Sequence, residues 1–100
     1  MDITITPDTN GCTLIALDGR LDTMTAPQLE DAVNGVFESG SRDLRVDLAK
    51  VDFVSSAGLR VIIGTQKKVM GNGSLVFCNV QSGVMDIFDM TGFSKLMTFE

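Results

Sequence analysis

The stretch Val51-Asp52-Phe53-Val54-Ser55-Ser56-Ala57-Gly58-Leu59-Arg60-Val61-Ile62-Ile63-Gly64 sets two adjacent serines between a strand-like run and a helix-like run. A serine hydroxyl at a helix start accepts a backbone N–H, and losing such a cap costs about 1 kcal/mol. A cap needs one serine, and here there are two. Ala57 and Gly58 leave the neighbourhood sterically open, and a glycine early in a helix costs roughly 1 kcal/mol against alanine. An exposed serine among small neighbours is therefore a candidate phosphoryl acceptor. The group would add roughly −1.5 to −2 charges at pH 7, and a helix N-terminus tolerates such an anion.

Outward from this stretch, Leu44, Val46 and Leu48 alternate with Arg45 and Asp47, which predicts a strand leading into the serines. Beyond them Leu59, Ile62, Ile63, Val69 and Met70 mark an amphipathic helix ended by Gly71. Near the start, Ile3 and Ile5 alternate with threonines, Pro7-Asp8-Thr9-Asn10-Gly11 interrupts, and an apolar run follows from Cys12 to Leu17. That pattern predicts an antiparallel hairpin. Thr25-Ala26-Pro27-Gln28 reads as a helix start, with Thr25 and Gln28 forming a capping box. Leu29, Ala32, Val33, Val36 and Phe37 then share one face until Ser39-Gly40. Ser74 to Val80 suits an interior strand, Ser82 can cap a third helix carrying Val84, Ile87 and Phe88 inward, and Leu96 to Phe99 can add a last strand.

The expectation is an α/β fold: one domain over residues 1–100, with a mixed central sheet of about four to five strands and helices packed against it. Strands joined by helical crossovers run parallel, so the loops leaving the second, third and fourth strands share one edge. That edge collects Arg20, Asp22 and Thr23, then Ser55 and Ser56, then Asn79, Gln81 and Ser82. Sites in α/β proteins form at such carboxyl ends.

Composition narrows the function. The 100 residues are 44% hydrophobic with a formal charge of −5, no histidine, and scattered lysine and arginine. Neither nucleic acid nor an anionic membrane is an expected partner. No apolar run is long enough to span a bilayer, and Met1-Asp2-Ile3-Thr4 opens no signal peptide, so a cytoplasmic protein is expected. Cys12 and Cys78, distant in sequence and without histidine, read as small buried hydrophobes, with no metal or cofactor expected. Lacking histidine, a Gly-x-Ser-x-Gly elbow and a P-loop, the chain offers no familiar catalytic frame and is not expected to be an enzyme. Asp22 and Asp47 lack a third ligand for a metal and are expected to shape the surface around Ser56. Met85, Met90 and Met97, with Phe88, Phe93 and Phe99, are expected in the core, and Lys67-Lys68 in solvent.

The residues from Val51 to Arg60 resemble the signature of STAS-domain anti-sigma factor antagonists. Gly19-Arg20-Leu21-Asp22 is similar to the family's Gly-x-Leu-Asp turn, and Val46-Asp47-Leu48 to its Val-Asp-Leu strand, so the resemblance spans nearly the whole chain. The usual family loop reads Asp-Ser-Ser-Gly-Leu, its first serine phosphorylated by a partner that is both kinase and anti-sigma factor. Aligning Gly58 and Leu59 puts Ser56 at the acceptor position, with Ser55 replacing the aspartate and Ala57 the second serine. The resemblance implies a STAS fold and partner switching. The unmodified chain binds an ATP-binding anti-sigma factor/serine kinase and frees a sigma factor, phosphorylation of Ser56 breaks that complex, and a serine phosphatase restores it. The implied binding surface is Arg20, Asp22, Thr23, Asp47, Ser55, Ala57, Gly58 and Arg60. Two other readings stand beside it: a STAS subunit of a transport or signalling complex that is never phosphorylated, and an enzyme with Ser56 as nucleophile, for which nothing identifiable activates the hydroxyl.

Overall fold

The computed structural model describes residues 1–7 and 11–100. Strand β1 (Asp2–Pro7) pairs antiparallel with β2 (Cys12–Asp18), Ile3 opposite Leu17 and Ile5 opposite Ile15. This is the expected pairing, although the turn at Asp8 to Asn10 lies outside the described residues. From β2 the chain passes through α1 (Ala26–Glu38), β3 (Asp43–Lys50), α2 (Ser56–Val69), β4 (Ser74–Cys78) and α3 (Ser82–Met90). A short 3₁₀ turn, Phe93–Leu96, precedes β5 (Thr98–Phe99). The last strand is thus two residues long, because Phe93 to Leu96 coil beneath α3 instead of extending.

The five strands lie side by side in chain order, and β2, β3, β4 and β5 are mutually parallel. Parallel crossovers are right-handed almost without exception, and taken in one direction across a sheet they put every helix on the same face. Burial follows this geometry. Thr13, Ile15 and Leu17, then Leu44, Val46 and Leu48, then Leu75 and Phe77 are buried at every second position, beneath the helices. Leu29, Val33 and Val36 of α1, Leu59, Ile62 and Val69 of α2, and Val84 and Phe88 of α3 complete the core. Phe77, Phe88 and Phe99 meet pairwise with ring centroids 6.1 to 6.3 Å apart, which fastens α3 to the β4–β5 side.

The opposite face carries Thr4, Ala16, Arg45, Asp47 and Thr98, and Arg45 and Glu100 form an ion pair across it. Cys12 and Cys78 also fall on this face, free and half-buried, so they are less enclosed than the sequence suggests. Among the expected core residues Phe88 and Met97 are buried, and Met85, Phe93 and Phe99 pack against the core. Met70 and Met90 instead stand 65% and 86% exposed. Met70 follows the last residue of α2 and Met90 is the last of α3, where the helical stripe no longer dictates direction.

Candidate functional site

Past the ends of β2 and β3, the two loops continue to pair. The Gly19 N–H donates to the Lys50 carbonyl at 3.1 Å, that of Leu21 to Phe53 at 3.0 Å, and that of Ser55 to Leu21 at 2.8 Å. Leu21 and Val54 form a parallel bridge, and both are buried. The parallel ladder is in effect lengthened beyond the strands, and it sets the starts of α1 and α2 side by side. Over this seam the Arg20 guanidinium lies 4.4 Å from the centre of the Phe53 ring, and its Nε is 3.9 Å from an Asp22 carboxylate oxygen.

At α1 a reciprocal capping box is present, three residues earlier than the sequence suggests. Asp22 Oδ1 accepts from the N–H of Met24 at 3.0 Å and of Thr25 at 3.1 Å, while Thr25 Oγ1 accepts from the Asp22 N–H at 2.9 Å. Thr25 is the N-cap position of α1 with Pro27 in the first turn, as expected, but its side chain makes no cap bond into the helix. It closes the box instead of opening it, its hydroxyl donates to the Arg20 carbonyl at 2.6 Å, and Gln28 is exposed. Partial burial pushes the Asp22 carboxyl up, but the Thr25 N–H and hydroxyl, the Met24 N–H and the Arg20 charge together hold it below the ordinary carboxylate value.

At α2 the two serines divide. Ser55 is the N-cap, in extended backbone, and its Oγ accepts from the Gly58 N–H at 3.3 Å. Ser56 is the first helical residue, is exposed, and has no side-chain hydrogen bond among the described residues. Gly58 is buried and offers no surface to a partner, contrary to the reading of Ala57-Gly58 as open space. A Cβ there would come 2.6 Å from Leu21 Cγ and 3.0 Å from the Leu21 carbonyl oxygen. The glycine lets α2 settle on the Leu21 turn.

Ser56 opens onto a groove of about 450 Å³ between α2 and the segment after α3, lined also by Arg60, Ile63, Lys67 and Phe93. Arg60, Thr23 and Met24 are exposed, Ala57 half-buried, and Met24, at 83%, is among the barest apolar side chains. Sequence reasoning passes over Met24. An apolar residue inside the turn Asp22-Thr23-Met24-Thr25 is the signal that was available.

Asp47 does not join this cluster. On β3 it alternates with the buried Val46 and Leu48 and so faces the uncovered side, where its Oδ1 accepts from the Ala49 N–H at 2.9 Å and from Asn79 Nδ2 at 3.2 Å. Asn79 holds a φ of 57°, a left-handed conformation asparagine tolerates. The third loop also differs in its cap. Gln81, not Ser82, precedes α3, and its Nε2 donates across to the Ala49 carbonyl at 2.8 Å.

The site thus presents an exposed serine hydroxyl that makes no side-chain hydrogen bond among the described residues. The sequence has no histidine, and Asp22, on the adjoining loop, is engaged by backbone N–H groups. Among the described residues no group of three or more histidine, cysteine, aspartate or glutamate side chains could hold a metal ion. No helix among them is long and apolar enough to cross a membrane.

Residues 4–100 match the STAS domain family. The chain is 33% identical over 84 residues, 83% of its length and 78% of the relative's, to an anti-sigma-B factor antagonist of Staphylococcus epidermidis. Among solved structures, an anti-sigma factor antagonist from Mycobacterium paratuberculosis superposes with a TM-score of 0.87 at 24% identity, covering 98% of this chain and 83% of that one. The Bacillus cell fate determinant SpoIIAA in its phosphorylated form superposes with a TM-score of 0.76 at 17% identity, covering 99% and 91%. These two likenesses speak for the fold.

Proposed function

The chain belongs to the STAS domain family, and from that premise we propose that it is an anti-sigma factor antagonist whose binding is switched at Ser56. In this reading residues 1–100 act as one cytoplasmic domain that is substrate and ligand, not catalyst. The unmodified form binds an anti-sigma factor that is also an ATP-dependent serine kinase, and so releases a sigma factor. Transfer of the ATP γ-phosphoryl group to Ser56 Oγ, with the hydroxyl proton passing to a base of the kinase, ends the association. A serine phosphatase reverses it by hydrolysis.

The observation that carries the reading is the division of labour between the serines: Ser55 is held by a backbone bond, whereas the Ser56 hydroxyl is exposed and uncommitted. Around it, Arg20, Thr23, Met24 and Arg60 supply exposed charge and one apolar contact, a composition suited to a protein interface. A dianion introduced at the centre of such a contact adds repulsion and desolvation of several kcal/mol. About 3 kcal/mol lowers affinity on the order of a hundredfold.

The test is incubation with the candidate kinase and Mg-ATP, with the site located by tandem mass spectrometry in the parent, Ser55→Ala and Ser56→Ala proteins. A phosphate abolished only by Ser56→Ala is expected. Loss only with Ser55→Ala would move the acceptor by one residue. A tight complex that never incorporates phosphate would make the chain a fixed STAS subunit.

A further inference from the structure

Arg60 follows Ser56 by four residues in α2, so their Cβ atoms are neighbours on the helix surface, roughly 6 Å apart. Both side chains are exposed and both line the groove beside α2. Among the described residues the ion pairs are Arg20 with Asp22 and Arg45 with Glu100, so Arg60 has no carboxylate partner among them. No carboxylate lines the groove. A guanidinium on an exposed helix face, one turn from a hydroxyl and unpaired, is an anion receptor awaiting its anion.

We propose that Arg60 receives, within the same chain, the phosphoryl group carried by Ser56. The inference rests on Ser56 being the phosphoacceptor and adds a second residue to the switch. A guanidinium offers two parallel N–H donors that match two phosphoryl oxygens, and this pairing is among the stronger charge-assisted hydrogen bonds. It holds the phosphate against the groove and withdraws Arg60 from solvent. The modification therefore changes the surface twice, adding an anion at Ser56 and removing a free cation one turn along. A partner that meets Arg60 with an acidic or carbonyl group loses that contact as well as gaining a repulsion.

Of the other charges around Ser56, Arg20 is already engaged by the Phe53 ring and Asp22. Glu30 of α1, which lines a second hollow with Arg60, forms no ion pair with it among the described residues. Lys67, also on the groove, is 11 residues further along α2, about 16 Å up the helix axis. Thr91 and Phe93, from the far wall, are uncharged. Asp22 and Asp52, on the adjoining loops, are anionic, and Asp22 is engaged by Met24 and Thr25.

The decisive experiment places phosphoserine at position 56 of the full chain by codon reassignment and follows its second ionisation, ordinarily near pH 6, by phosphorus NMR. Replacement of Arg60 by glutamine (R60Q) is expected to raise that midpoint by roughly 0.3 to 0.6 pH units, with R60K between it and the parent. K67Q is expected to titrate with the parent. If R60Q titrates with the parent, or K67Q rises as far as R60Q, the assignment to Arg60 is overturned. Thermal melts of the variants check that the exposed substitutions leave the fold intact. Because no kinase is used, failure here is distinct from failure of Ser56 as the natural acceptor, which the kinase assay reads.

Discussion

The starts of α1 and α2 stand side by side on one seam and solve the same problem differently. At α1 both polar side chains of the box are consumed, Asp22 by two N–H groups and Thr25 by one. At α2 one serine suffices for the cap, and the next hydroxyl is left in solvent. The difference separates a start whose capping pair is fully bonded from one that keeps a free hydroxyl as its first helical residue.

The largest expected effect strikes the seam that both starts share. Gly58→Val would force a branched side chain into Leu21, and a loss of about 2 to 3 kcal/mol in urea unfolding is expected. If the variant is as stable as the parent, the two starts are not locked together as described. Next, Ser55→Ala should cost about 1 kcal/mol while leaving Ser56 open to phosphorylation. Smaller again is Asp22→Asn, which keeps an acceptor but loses the charge. Since the folded carboxyl of Asp22 lies below its ordinary value, its ionised form stabilises the protein above the unfolded value, near pH 3.9, and that contribution disappears as pH falls through the folded one. The parent should therefore be the more stable near neutrality, and the two melting curves should converge in acid. Smallest is Ser56→Ala, expected within about 0.5 kcal/mol of the parent in stability yet devoid of phosphate acceptance. A large unfolding penalty there would mean that Ser56 also carries structure, and would dissolve the contrast between the two starts.

Much of this was legible in the sequence, because hydrophobic period and chain order are local properties that topology then compounds. The alternation at Leu44, Val46 and Leu48, and the helical spacing from Leu59 to Val69, sufficed to place Ser55 and Ser56 at the carboxyl edge of a parallel sheet. What failed was anything decided by contacts distant in sequence. Thr25-Ala26-Pro27-Gln28 and Asp22-Thr23-Met24-Thr25 are both acceptable capping boxes, and the choice falls to the bonds between Leu21 and Phe53 and between Ser55 and Leu21, which fix the backbone just before Asp22. Gly58 read as open space for the same reason: the residue that needs its missing Cβ, Leu21, is far away in the chain. Asp47 sits correctly on its strand, but the pleat turns it to the uncovered face, toward Asn79. The coil at Phe93 to Leu96 carries no periodic signal, and it packs against α3.

For the switch proposed at Ser56, the bridge between Leu21 and Val54 bears on how it would keep time. A backbone pinned by a neighbouring loop on one side and by a buried glycine contact on the other has little room to rearrange when a phosphate arrives. The signal is then written as charge on a fixed template, and erasing the charge restores the original surface in full. On the proposed reading, a switch built this way would report the present ratio of kinase to phosphatase activity, with no trace in its own fold of what that ratio was before.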